Sequence, residues 1–192
     1  MKDCRSKIAT KEEEDLKAFF APAEGDAAGT ALVGLVNTAK DISIAAHRFS
    51  FGKLLSALQA RLSGRSAPRV RILADDDMYY AANDLAAPTS PNLSQEFRNV
   101  SRLTALGAEA RWMETNIREF LLHHNKFLIF DSNAVFAGAG NLTTAGFTEN
   151  FENYYVIKIP SVIQSFRTQY GRLWDQMATP TGKLPAKYTD PK

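Results

Sequence analysis

The chain has 192 residues, of which 45% are hydrophobic and 23% are charged, as in ordinary globular domains and unlike disordered or collagen-like chains. A chain of this length buries roughly 70% of its unfolded surface, which is enough to form a core without disulfides. The single cysteine, Cys4, excludes an internal disulfide, and together with three histidines it is too little for a structural zinc finger. The net charge of +2 permits a polyanionic partner but does not by itself indicate one.

The sequence shows no membrane-spanning pattern. It contains no run of 18 apolar residues, and no apolar signal-peptide core follows the basic start Met1–Lys7. The sequence as written therefore predicts a soluble, cytoplasmic protein without a transmembrane segment. An exported or periplasmic location stays open if an upstream signal precedes this chain.

The spacing of apolar residues predicts helices and strands that alternate along most of the chain. A first helix is predicted over Glu12–Phe20, followed by a loop over Pro22–Thr30. Another loop is predicted over Ala86–Asn92. Further helices are predicted over Leu32–Lys40, Leu54–Leu62, Leu93–Leu106 and Pro160–Met177. Strands are predicted over Ile42–Ala46, Val70–Leu73, Ala110–Met113, Lys126–Phe130, Ala134–Ala137 and Tyr154–Ile159.

This order of elements predicts an α/β fold with a mixed, mainly parallel central sheet flanked by helices on both faces. Asp131-Ser132-Asn133 separates two of the strands and predicts a tight hairpin turn. Residues 12–178 are expected to form a single domain. Residues 179–192 are expected to form an extended or disordered tail, because they are rich in proline and poor in apolar residues.

The polar residues around one predicted strand carry the chemistry. His124 and Lys126 are two positions apart, so on a strand both side chains project from the same face. Phe127 and Ile129 would point to the opposite face, where a core can hold the strand rigid. An imidazole and an ammonium side by side suit an anionic, tetrahedral substrate.

Two further residues fit such a site. Asn141 precedes Thr143 and Thr144, where a helix can begin with free backbone N–H groups that bind phosphate oxygens. Glu152, at the edge of the last strand, is placed in sequence to accept a proton from one nitrogen of the His124 ring. That contact would orient the ring and raise the basicity of the other nitrogen.

The string H-x-K-x4-D-x6-G-x-x-N resembles the signature of the phospholipase D superfamily. It is filled here by His124, Lys126, Asp131, Gly138 and Asn141, and the continuation through Asn150-Phe151-Glu152-Asn153 is also similar to that family. The likeness covers roughly Phe19 to Met177. Many members of the family carry two copies of the motif, whereas this chain has one, as do the small bacterial endonucleases and mitochondrial-type enzymes of the family.

The resemblance implies a phospholipase D-like α/β sandwich and a catalytic domain that needs no metal and no cofactor. It implies a homodimer in which His124 of one subunit attacks phosphorus to form a phosphohistidine, while His124 of the other protonates the departing oxygen. Lys126 and Asn141 would neutralise the developing charge, with Glu152 as a further catalytic residue. Structural roles fall to Asp131, expected to make an ion pair, and to the glycines Gly138 and Gly140. Ala139 stands where many members have serine.

Several other polar residues have two interpretations. His47, Arg48, Arg111 and Arg118 are candidate substrate-binding residues, the alternatives being a strand-end histidine and rim charges. His123 is expected to pack or to support the site. Asp75-Asp76-Asp77 could hold magnesium in a metal-dependent nuclease, but a solvated strand exit is the preferred interpretation.

Three functions are consistent with the sequence. The first is a nuclease with little sequence preference, because a site that binds phosphate and sugar reads no bases. The second is a phosphodiesterase with the same chemistry acting on a phospholipid such as cardiolipin, with Phe147 and Phe151 as membrane contacts. The third is a nucleic-acid-binding module without catalysis.

Overall fold

The computed structural model describes residues 15–75, 94–113 and 123–180, which form one sheet of eight strands with helices packed against it. The strands are β1 Leu16–Ala21, β2 Asp41–Ala46, β3 Arg69–Asp75, β4 Glu109–Met113, β5 Lys126–Phe130, β6 Ala134–Gly138, β7 Glu152–Ile157 and β8 Ala178–Pro180. The helices are α1 Gly25–Thr38, α2 Gly52–Leu62, α3 Gln95–Ala105, α4 Thr144–Thr148 and α5 Pro160–Arg172, the last continued by a π-turn over Leu173–Met177.

The strand order is β1-β7-β6-β5-β2-β3-β4-β8. The α/β class, the mixed sheet and the helices on both faces are confirmed. The expectation of a mainly parallel sheet is wrong: within the described residues only β2–β3 and β3–β4 run parallel. The strands of each parallel pair are joined through a helix, as parallel neighbours require. The other neighbouring strands in the described sheet pair antiparallel, and β5 and β6 do so as a hairpin.

The start of the described chain differs from the sequence-based prediction. Leu16–Ala21, placed in a helix over Glu12–Phe20, forms a strand instead. Its residues pair antiparallel with β7, with Leu16 opposite Ile157. Phe19 and Ala21 face the core while Phe20 faces away, an alternation that suits a strand. Long-range pairing with β7 therefore overrides the local helical spacing.

Helix α1 begins inside the predicted loop Pro22–Thr30. Two glycines in the first turns of α1 allow the helix to pack closely against its neighbours. A Cβ on Gly25 would lie 1.6 Å from the Phe147 carbonyl oxygen, and a Cβ on Gly29 would lie 2.9 Å from the Phe51 ring. The first turns of α1 thus pack closely against neighbouring elements. Because these turns contain no large apolar residues, the sequence pattern predicts a loop there instead of a helix.

The core lies in two layers, one on each face of the sheet. On the first face the sheet is covered by α1, α2, α3 and α4, which contribute Leu32, Leu54, Val100 and Phe147. On the second face it is covered by α5 and the π-turn, which contribute Ile163, Tyr170, Leu173 and Trp174. Phe127 and Ile129 belong to the second layer, as predicted, so β5 is anchored from the side opposite Lys126.

One edge of the sheet collects the ends of several strands. Lys126, the first residue of β5, pairs with Ala46, the last residue of β2. On the next strand, β6 ends at Gly138, which pairs with Tyr154 near the start of β7. Residues that follow β2 or β6, or that precede β5, are therefore brought together at this edge, called the site edge below.

Candidate active site

His124 and Lys126 meet at the site edge as predicted. The Lys126 Nζ atom lies 3.0 Å from the His124 Nε2 atom and donates to the His124 carbonyl oxygen at 3.1 Å. An ammonium group has no lone pair, so it can only donate to Nε2. The lone pair of that nitrogen is therefore directed at the Lys126 ammonium group.

The surroundings of His124 favour the neutral form of its imidazole. Burial and then the adjacent Lys126 charge lower the pKa of His124 below its ordinary value. Burial also lowers the pKa of Lys126, and the negative charge of Glu152 opposes that shift. His124 thus suits the role of a neutral nucleophile, and Lys126 suits the role of a cation that neutralises phosphate charge.

Glu152 acts on this pair from a distance. Within the described part of the chain no hydrogen bond joins Glu152 to the His124 ring. Strand β6 lies between β5 and β7, which places those two strands about 10 Å apart. The carboxylate accordingly contributes through its charge on Lys126.

Asn141 is held at the site edge by a rigid loop. The Tyr154 hydroxyl donates to the Asn141 carbonyl oxygen at 3.1 Å, and burial raises the pKa of Tyr154, so the hydroxyl keeps its proton. The Leu142 carbonyl oxygen accepts from the N–H groups of Ser50 and Phe51, at 2.9 and 2.8 Å. The predicted helix start is confirmed, since α4 begins at Thr144.

The two glycines of the motif allow this loop to pack against β7. A Cβ on Gly138 would lie 2.1 Å from the Asn153 carbonyl oxygen, and a Cβ on Gly140 would lie 2.1 Å from the Tyr154 hydroxyl oxygen. Sequence reasoning did not identify Tyr154. The signal was the cluster of glycines, including Gly146, which leaves space for one aromatic ring.

His47 lies within the same cluster of side chains. Its ring centroid is 4.8 Å from that of His124, with the ring planes tilted by 55°. Its Nδ1 atom lies 3.4 Å from the Asn141 Oδ1 atom. Burial, followed by the Arg48 charge, lowers the pKa of His47 to about 4. His47 therefore lines the site as a neutral side chain.

Two of the three candidate arginines, Arg48 and Arg111, lie among the described residues and contact groups other than His124. Arg48 pairs with Glu96 at 3.8 Å. Arg111 stacks over the Trp174 ring, 4.6 Å from its centroid, and donates to the Trp174 carbonyl oxygen on the face covered by α5. Its sequence-based assignment to the substrate site is therefore not supported by its contacts. Arg118 lies outside the described residues.

His123 and Asp75 hold the segment that leads into β5. The backbone N–H of His123 donates to the Asp75 Oδ2 atom at 2.6 Å, and both side chains are buried. Asn125 Nδ2 lies 3.3 Å from His123 Nδ1. Asp76 and Asp77 lie outside the described residues. Over ranges 15–75, 94–113 and 123–180, no group of three His, Cys, Asp or Glu side chains is arranged to hold a metal.

Two phenylalanines considered as membrane contacts have different environments. Phe147 is buried in the core, where it stacks on Phe51 and Tyr154 with ring centroids 4.1 and 4.4 Å away. Phe151, next to Glu152, is 93% exposed. No helix among the described residues has the length and apolar character needed to cross a membrane.

Asp131 anchors the hairpin through backbone hydrogen bonds, and it makes no ion pair with the residues that the structure describes. Its Oδ1 atom accepts the backbone N–H groups of Lys40 and Asp41 at 2.8 and 2.7 Å. Its own N–H donates to the Asp41 carbonyl oxygen at 3.0 Å, and its φ is 48°. The carboxylate is used for these backbone hydrogen bonds because it is positioned over the start of β2.

Asp131→Ala is expected to lower the free energy of unfolding by about 2 kcal/mol, because two backbone donors lose a charged acceptor. Asp131→Asn should cost less, since asparagine keeps an acceptor and tolerates a positive φ. Urea denaturation measures both. A lower rate of phosphodiester cleavage by the Ala variant, without loss of stability, would instead place Asp131 in the site.

Comparison with known proteins agrees with this geometry. The family described as "Cardiolipin synthase, PLD-like domain" matches residues 33–174. A mitochondrial cardiolipin hydrolase of Chlamydomonas reinhardtii is 31% identical over 107 residues, which are 56% of this chain. This chain spans only 40% of the length of that relative.

Two solved structures share the fold. The phospholipase D family member Nuc of Salmonella typhimurium has a TM-score of 0.64 at 23% identity, over 86% of this chain and 98% of that one. NucT of Helicobacter pylori has a TM-score of 0.65 at 16% identity, over 85% and 98% of the two chains. Because the family match spans most of the residues that build the sheet and its site edge, the chain belongs to the phospholipase D superfamily of phosphodiesterases.

Proposed function

We propose that this chain is a metal-independent phosphodiesterase that cleaves nucleic acid with little sequence preference, in a site shared by two protomers. The observation that carries the proposal is the contact of 3.0 Å between Lys126 Nζ and the unprotonated His124 Nε2. A side-chain nucleophile beside its own cation supplies attack and charge neutralisation from protein groups alone.

The reaction proceeds in two displacements. The lone pair of His124 Nε2 forms a bond to phosphorus, the bond from phosphorus to the leaving oxygen breaks, and a second imidazolium gives that oxygen its proton. That imidazole then takes a proton from water, whose oxygen attacks phosphorus and releases Nε2. One water is consumed, and the products are a phosphomonoester and an alcohol.

The second imidazole is assigned to His124 of a partner copy. The chain contains a single copy of the motif. His47 lies beside the His124 ring, with 4.8 Å between the ring centroids. In an in-line displacement the leaving oxygen departs on the opposite side of phosphorus from the attacking nitrogen, so His47 is on the wrong side to protonate it. An isologous dimer with the two His124 side chains at its axis would supply the missing acid.

Nucleic acid is the preferred substrate because the site recognises phosphate and the exposed Phe151 side chain next to Glu152 offers a surface for an unpaired base. A phospholipid is the second candidate, favoured by the likeness to a cardiolipin hydrolase. The same exposed ring would then enter a bilayer surface.

The substrate is tested by incubating the protein in EDTA with single-stranded DNA, with duplex DNA and with cardiolipin vesicles. Cleavage of DNA in chelator is expected. Activity that appears only after magnesium is added would contradict the metal-free mechanism, and release from vesicles alone would select the phospholipid. Binding of DNA without any turnover would favour the non-catalytic module.

Sharing of the site is tested by mixing the native protein with the variant His124→Asn and allowing subunits to exchange. With nine parts of variant to one of native, about 1% of dimers keep two intact histidines, so activity should fall to about 1% of that of an equal total amount of native protein. A fall to about 10%, which is simple dilution, would mean that each chain acts alone.

A further inference from the structure

Of the two histidines at the site edge that the proposed mechanism does not use, His123 and His47, the second contacts residues of the motif. His47 follows the last residue of β2, and its backbone N–H donates to the Asn125 carbonyl oxygen at 3.0 Å. The segment after β2 is thereby tied to the segment that carries His124. The position of the His47 ring is therefore fixed relative to the nucleophile by the backbone.

The ring of His47 contacts two residues of the motif at once. Its centroid lies 4.8 Å from that of His124, and its Nδ1 atom lies 3.4 Å from Asn141 Oδ1. Since an amide oxygen can only accept, we assign the proton of the neutral ring to Nδ1 and the lone pair to Nε2. Burial, followed by the Arg48 charge, lowers the pKa of His47 and favours this neutral form.

The hydrogen bond has a consequence for Asn141. An asparagine amide can flip by about 180°, which exchanges the positions of its oxygen and its NH2 group. Only one of the two orientations directs the NH2 group toward a bound phosphate. If Oδ1 is occupied by the His47 donor, the Nδ2 group is left for the substrate. Without the hydrogen bond from His47, the amide can flip so that its Oδ1 atom faces a phosphate oxygen, and the two oxygens repel each other.

We propose that His47 is a positioning residue that fixes the amide of Asn141 with its donors toward the scissile phosphate and restrains the ring of His124. The proposal rests on the proposed function, because it requires that Asn141 bind the phosphate. It assigns to this chain's own histidine a role exerted through two other side chains, without contact with the reacting atoms.

Two substitutions separate the hydrogen bond from the ring. His47→Phe keeps a ring against His124 but removes the donor, and His47→Asn keeps an N–H near the position of Nδ1 but removes the ring. His47→Phe is expected to lower kcat about 10-fold, the value of one lost hydrogen bond in the transition state, with KM changed less than about threefold. His47→Asn should recover part of this loss.

A double-mutant cycle with Asn141→Ala decides whether the effect passes through the amide. In the Asn141→Ala background, His47→Phe should change kcat by less than about twofold, because the group it positions is gone. Equal fold-changes in both backgrounds, or an unchanged kcat for His47→Phe alone, would overturn the proposal. Inactivity of the native protein in EDTA, or full activity of His124→Asn, would instead count against the proposed function.

The tautomer gives a readout that does not depend on activity. Nitrogen-15 chemical shifts of the native protein distinguish a His47 ring protonated on Nδ1 from one protonated on Nε2. Protonation on Nδ1 is expected. A ring protonated on Nε2 would overturn the proposal even if the phenylalanine variant failed to fold.

Discussion

Replacing His124 with asparagine is expected to reduce the proposed phosphodiester cleavage by at least about 10⁴-fold, because in the proposed mechanism the His124 Nε2 atom forms the bond to phosphorus and asparagine lacks it. The side chain is exposed, and its described hydrogen bond runs to Lys126 alone. Its removal should therefore leave the fold and the unfolding temperature nearly unchanged. Cleavage rates and thermal denaturation on the same preparation measure the two effects.

The neighbouring variant Asn125→Ala is the matched control. The Asn125 side chain contacts His123 and not the His124 ring, so its loss should change the rate by less than about threefold. Comparable losses in the two variants would mean that the whole segment, rather than the His124 imidazole, governs activity.

The pH profile provides a second view of the same group. In the proposed mechanism one His124 attacks as the neutral imidazole while the partner's His124 gives its proton to the leaving oxygen. The plot of kcat/KM against pH therefore has an acid limb, where the attacking ring becomes protonated, and a basic limb, where the partner's ring loses its proton. Burial and the Lys126 charge lower the pKa of His124, which moves the acid limb to a pH below the ordinary histidine value of about 6.5. An acid limb above pH 6.5 would contradict the environment described for the ring.

The motif strand and its hairpin could be predicted from sequence because the signals there are local. Alternation around Lys126 fixes which side chains share a face, and Asp131-Ser132-Asn133 fixes the turn. By contrast, the strand Leu16–Ala21 depends on pairing with β7, more than a hundred residues further along the chain. Such pairing leaves no local signal, so the helical spacing was misleading.

The contacts among the candidate site residues could be predicted from the sequence only in part. The spacing of His124 and Lys126 encodes their contact directly. The positions of Glu152 and Arg111 depend on strand order and on the packing of the π-turn, which short-range spacing does not encode. The contact of His47 with Asn141 likewise arises because β2 and β6 end at the same edge of the sheet.

A methyl group added at the end of β6 should lower the stability of the protein strongly. Gly138→Ala is expected to lower the free energy of unfolding by about 3 kcal/mol, the upper part of the range for overpacked positions. Its Cβ would lie 2.1 Å from the Asn153 carbonyl oxygen and 3.0 Å from the Tyr154 Cα. These are backbone atoms of β7, which is paired on both sides with β6 and β1, so the strand cannot shift without breaking a ladder.

Gly34→Ala provides the matched control for this change. Gly34 is exposed in the middle of α1, and a Cβ there would meet nothing within 4 Å. Alanine should stabilise that helix by about 0.5–1 kcal/mol, because glycine is the poorer helix former. Urea denaturation of both variants should therefore give shifts of opposite sign, and equal shifts would refute the close approach of β6 to β7. The same close approach fixes the position of the loop that carries Asn141, so any Gly138→Ala protein that folds should also cleave more slowly.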